Sequence, residues 1–129
     1  MKRLLLLLAG TAALCAGCSN NFDRNMTTEA REYTQKHCPE KLDEFTTLDS
    51  MVYNSEERTL WQYLTVEDAV AELLRSNRPS IKETLLANLR NDARWKTCKD
   101  KETNFGYIYK TRNGNQPVCR IVLKPEDYQ

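Results

Sequence analysis

Beyond Cys18 the 129-residue sequence has no C-x-x-C pair, and throughout it has no glycine-rich phosphate loop, no block of like charge and a single histidine. Each absence removes a class of function. Without C-x-x-C beyond Cys18 there is neither a thioredoxin-like redox centre nor a zinc ribbon. No metal-ligand spacing or serine triad stands out either. The 19 basic and 18 acidic residues are interspersed, so the field gives no reason to expect nucleic acid or an anionic surface as partner. His37 stands beside Cys38, but adjacent residues on a helix do not face each other. A helix end ahead of Pro39 explains both. Glu56-Glu57-Arg58 reads as a solvated loop tip and Lys99-Asp100-Lys101-Glu102 as a mixed-charge connector. Asp43, Glu44 and Asp49 have no second carboxylate cluster to pair with for acid–base work. These patterns predict a protein that is not an enzyme and needs no cofactor or metal.

Long apolar runs are also scarce, and the only one lies at the start. Met1-Lys2-Arg3 is a short basic segment, Leu4 to Leu14 is apolar, and small residues then lead to Cys18. That order is a secretory signal peptide, and the run is too short to cross a bilayer as a helix. Ala16-Gly17-Cys18, with Leu14 just upstream, resembles the lipobox of bacterial lipoproteins; Cys15 departs from it, standing where that family usually carries Leu. The resemblance implies removal of residues 1–17, a diacylglyceryl group on the Cys18 sulfur and an acylated amino terminus. Two or three acyl chains hold a protein firmly to a membrane, whereas one does not. Ser19 follows where inner-membrane lipoproteins of enteric bacteria often carry Asp. By that family rule the protein is lipid-anchored in the outer membrane, facing the periplasm. Cleavage leaves 112 of the 129 residues, with 17 basic against 18 acidic, enough for one modest domain.

Residues 18–25 read as a lipidated polar tether, of which 19–25 span at most about 25 Å, and residues 26–129 as one small domain. Met26, Ala30, Tyr33 and His37 fall at helical spacing up to Pro39. From Thr46 the period changes to two, breaks at 54–58 and resumes from Thr59 to Val66, which predicts a hairpin. With Tyr53 opposite Thr59, one face carries Leu48, Val52, Leu60 and Leu64, the other Met51, Tyr53, Trp61 and Tyr63. Thr65-Val66-Glu67-Asp68 and Ser80-Ile81-Lys82-Glu83 read as capping boxes that open two amphipathic helices. Asn113-Gly114 between alternating runs predicts a second hairpin over 104–123. Its expected register puts Ile108, Cys119, Ile121 and Leu123 on one face, and Phe105, Tyr107, Tyr109, Val118, Arg120 and Val122 on the other. Pro117 would lose a ladder hydrogen bond there, so a bulge or edge strand is expected. Residues 124–129 read as a polar tail.

The predicted class is α+β: helix, hairpin, two helices, hairpin, with one four-stranded antiparallel sheet covered by helices on its aliphatic face. That packing turns Cys119 toward the helix layer near Cys98, making Cys98–Cys119 the preferred disulfide among three possible pairs with Cys38. The order of elements over residues 26–123 also resembles small bacterial envelope proteins of uncharacterised function. That resemblance implies a fold and supplies no catalytic residues.

The candidate binding face is the aromatic one: Tyr53, Trp61, Tyr63, Tyr107 and Tyr109, with Arg120 placed to stack on a ring. The competing reading makes those aromatics the core, because cross-strand aromatic pairs stabilise any sheet. The functional expectation is a lipoprotein that binds another envelope protein through this face. The alternatives are a small-ligand or cell-wall glycan module, or a purely structural envelope protein.

Overall fold

The computed structural model describes residues 19–129; Cys18 and the segment before it lie outside the described residues. In chain order the elements are α1 (Ser19–His37), β1 (Glu40–Lys41), β2 (Thr46–Asn54), β3 (Thr59–Val66), α2 (Asp68–Ser76) and α3 (Arg78–Asn91). A 3-10 turn (Ala93–Trp95), α4 (Lys96–Asp100), β4 (Asn104–Thr111), β5 (Cys119–Leu123) and α5 (Pro125–Tyr128) complete the chain. The α+β class holds. The sheet has five strands in the order β1-β2-β3-β4-β5, and it is mixed. β3 and β4 run parallel, against the expectation of four antiparallel strands. A parallel neighbour needs a crossover of a dozen or more residues, and the helices between Asp68 and Asp100 supply it.

Residues 19–25 are helical, as part of α1, and are not an extended tether. Phe22 adds a turn to the stripe of Met26, Ala30 and Tyr33, and all four are buried. Burial of one aromatic ring outweighs the weak helix preference of the surrounding Ser and Asn residues. α2 starts at Asp68 without a side-chain cap, because Thr65 stays in β3 and donates its hydroxyl hydrogen to Asp49. α3 starts at Arg78, two residues ahead of the expected cap, with Pro79 in its first turn, a position that tolerates a missing N–H. The C-terminal segment is not a free tail either. Tyr128 is buried and its hydroxyl donates to the Thr103 carbonyl at 2.7 Å.

Both hairpin registers differ from expectation by one residue. In β2–β3, Tyr53 faces Leu60 and Val52 faces Trp61, and a bulge between Leu48 and Ser50 restores Leu48 opposite Leu64. In β4–β5, Phe105 faces Leu123, Tyr107 faces Ile121 and Tyr109 faces Cys119. Pro117 lies outside the ladder, which starts at Cys119 on an edge strand. A one-residue slip exchanges the two faces of a strand. One core therefore contains both aliphatic and aromatic side chains: Leu48, Met51, Tyr53, Leu60, Leu64, Phe105, Tyr107, Tyr109, Ile121 and Leu123 pack with α1, Leu74, Leu86, Leu89 and Cys98.

Cys38, Cys98 and Cys119 are free thiols, so the expected Cys98–Cys119 bond is not formed. Cys98 lies against the Met26 sulfur at 3.8 Å. Cys119 sits beside Tyr109, toward the other end of β4.

Candidate binding face

The sheet has one buried face and one half-exposed face, and the sequence-predicted site residues divide between them. Tyr53, Tyr107 and Tyr109 are in the core. Burial pushes all three phenols upward, Tyr109 to about 12, and the Tyr53 hydroxyl also donates to Asp23 at 2.7 Å. They are structural residues. Trp61, Tyr63 and Arg120 lie on the opposite face, where the observed registers bring Val52, Trp61, Gly106 and Val122 into one row. Ser50, Tyr63, Ile108 and Arg120 form the next row. Val52 is 47% exposed, Arg120 is exposed, and Tyr63, Ile108 and Val122 are half-buried.

Trp61 is the organising side chain of this face. Gly106, its neighbour across the parallel pair, leaves room for the indole to lie flat over β4. A Cβ on Gly106 would stand 2.2 Å from Trp61 Cε3. The indole N–H donates to the Glu57 carboxylate at 2.9 Å, and the Arg120 guanidinium carbon lies 4.8 Å from the ring centre. Held from below, at its edge and from above, Trp61 is only 8% exposed. Arg120, not the indole, is what a partner would meet first. Gly106→Ala should therefore lower stability by about 1–3 kcal/mol through overpacking, read by urea denaturation, and shift the tryptophan emission. An unchanged spectrum and midpoint would show that the ring does not rest on Gly106.

Beside Arg120 is a cleft of about 420 Å³ lined by Arg78, Pro79, Lys82, Arg120, Ile121 and Val122. Three cationic side chains thus border the free edge of β5. The Arg78 guanidinium donates to the Arg120 carbonyl at 2.6 Å, and Lys82 has Asp127 at 3.7 Å. Neither Arg78 nor Lys82 stood out in the sequence; the contact with Arg120 joins residues 42 apart. A second groove of about 420 Å³ runs between α1 and the outer edge of β2, lined by residues including Arg31, Gln35, Met51 and Val52. There the Thr34 hydroxyl accepts the Met51 N–H at 2.8 Å, covering part of the open strand edge.

The thiols are not activated. Burial raises Cys98 to about 12, and burial, together with Glu40 and Asp49, raises Cys38. A raised thiol carries little nucleophilic thiolate at neutral pH. His37 stacks on Tyr33 with ring centres 4.6 Å apart. Among the described residues no group of three His, Cys, Asp or Glu could hold a metal ion.

The model of one protein family, described as a domain of unknown function (DUF8479), matches residues 21–118. The chain belongs to the DUF8479 family. The DUF8479 match runs from the first turns of α1 to the residue before β5, so it contains Trp61, Tyr63, Gly106 and Arg78 but not Arg120. No curated protein matches the sequence. The DUF8479 fold is similar to the crystal structure of PA3611 from Pseudomonas aeruginosa, described as a secreted protein. The TM-score is 0.69 at 17% identity, over 83% of this chain and 96% of that one. Identity at that level speaks for a shared fold.

Proposed function

We propose that this DUF8479 protein is a lipid-anchored, non-enzymatic envelope protein that binds a partner protein through its half-exposed sheet face. In this reading Cys18 carries the lipid and the domain works in the periplasm at the outer membrane. The lipobox-like end of the leader supports the anchor, and the secreted description of PA3611 supports a location outside the cytoplasm. The observation that carries the binding reading is the arrangement around Trp61. A rigid aromatic platform is roofed by an exposed arginine and continues into a cleft with two further cations. Aromatic and arginine anchors dominate protein interfaces, and the cationic cleft calls for an acidic rim on the partner.

Arg120→Glu is the direct test. Arg120 is exposed, so the substitution should move the melting temperature little while abolishing capture of the envelope partner in a pull-down from solubilised membranes. Capture at the wild-type level would remove this face from consideration. The cleft also favours a second reading, a module for an anionic small ligand such as a carboxylate-bearing cell-wall fragment. In that case muropeptides shift the Trp61 emission, and protein capture does not depend on Arg120.

A further inference from the structure

The start of α1 fixes how the domain stands on its membrane. Ser19, the residue directly after Cys18 in the sequence, is already helical in α1. Four positions after Cys18, Phe22 is 1% exposed, with its ring 6.3 Å from that of Tyr53 and the Lys101 ammonium 6.0 Å from its centre. Next to it, Asp23 accepts the Tyr53 hydroxyl at 2.7 Å and faces Arg58 at 3.6 Å. The first turns of α1 are thereby locked to one end of the sheet. That end carries the β2–β3 turn at 55–58 and the segment entering β4, and the Arg58 guanidinium joins the two by donating to the Lys101 carbonyl. Four residues reach at most about 14 Å when fully extended and about 6 Å as helix. A lipid on Cys18 therefore has no slack to let the domain roam.

We infer that the end of the sheet bearing Ser55–Arg58 and Lys101–Glu102 rests against the phospholipid headgroups, with the strands standing away from the bilayer. This rests on the reading of Cys18 as the lipidated residue. The opposite end, with the 112–118 loop, lies about 23 Å away along the eight residues of β4. The contact end presents Arg24, Glu56, Glu57 and Glu102 as exposed charges of both signs, so the anchor, not charge attraction, brings it to the lipid. The face around Trp61 then looks sideways, parallel to the membrane plane. It is open to a partner anchored in the same membrane.

The test uses the full-length protein, purified from bacterial membranes, in phosphatidylethanolamine–phosphatidylglycerol vesicles. In a Cys38→Ser background, a fluorophore is placed through Glu56→Cys or through Asn113→Cys. Headgroup-labelled nitroxide lipid should quench the label at 56 several-fold more than the label at 113. A twelve-residue Gly-Ser linker inserted between Cys18 and Ser19, with a reach of about 20 Å, should abolish the difference. Equal quenching at both sites, or stronger quenching at 113, overturns the orientation. A difference that survives the linker overturns the short joint as its cause. Failure of the protein to co-float with vesicles at all overturns the anchor reading itself, a result distinct from the other two.

Discussion

Replacing Phe105 by alanine should cost the fold about 3–5 kcal/mol, a large part of the 5–15 kcal/mol typical of a domain. Phe105 is 1% exposed and sits between Leu60 on β3 and Leu123 on β5. Its ring also meets Trp95 edge-on at 5.9 Å and Tyr128 at 5.8 Å. Three strands, the end of the crossover and the C-terminal turn all close on this one side chain. Truncation would leave a cavity that the sheet cannot collapse to fill, because β4 is hydrogen-bonded on both edges. The measurement is urea denaturation followed by tryptophan fluorescence, with Val52→Ala as reference. Val52 is 47% exposed on the other face, and its truncation should be close to neutral. A loss below about 1 kcal/mol for the Phe105 variant would be incompatible with this core.

The strands were legible in the sequence because alternation at period two marks half-buried extended chain: β2, β3 and β4 begin at Thr46, Thr59 and Asn104, as the pattern predicts. What alternation does not encode is the neighbour. Nothing in the residues of β3 and β4 states that they lie side by side and parallel, since that follows from the crossover path. Register was hidden for two separate reasons. The bulge near Asp49 adds a residue that no sequence period reveals, and Pro117 pushes the start of β5 past the Asn113-Gly114 turn to Cys119. Each one-residue slip moved side chains across the sheet, so Tyr53, Tyr107 and Tyr109 are core and only Trp61, Tyr63 and Arg120 remain on the candidate face. One signal for that face was present. A glycine in mid-strand at 106 marks a place where something large approaches the backbone, and the indole of Trp61 is what approaches it. Phe22 and Tyr128 were missed because a single aromatic in a polar stretch has no period.

Raising the pH above about 10 should unfold the protein cooperatively, and the same buried tyrosines are the cause. Burial lifts Cys98 from 9.0 to about 12 and Tyr109 from 10.0 to about 12. Tyr53, Tyr107 and Tyr128 are lifted as well, in each case by burial first, and for Tyr53 also by its hydrogen bond to Asp23. In the unfolded chain these groups ionise near their ordinary values, so above pH 9 to 10 the folded state holds more protons than the unfolded one. Stability is therefore complete below pH 9. It starts to fall as the unfolded Cys98 ionises, then drops steeply above pH 10 as the tyrosines join. Each such group multiplies the unfolded population by about tenfold per pH unit between its unfolded and folded pKa, so five acting together leave little of the fold by pH 11 to 12. In a Tyr63→Phe background, which removes the half-buried tyrosine of the other face, far-UV circular dichroism and tyrosinate absorbance should change in step, because burial holds the remaining phenols protonated until the core opens. Tyr107→Phe keeps the ring and removes one of the five groups, so it should move the alkaline midpoint upward. Tyrosinate appearing at its ordinary pH while the circular dichroism stays native would mean that these side chains are not buried together.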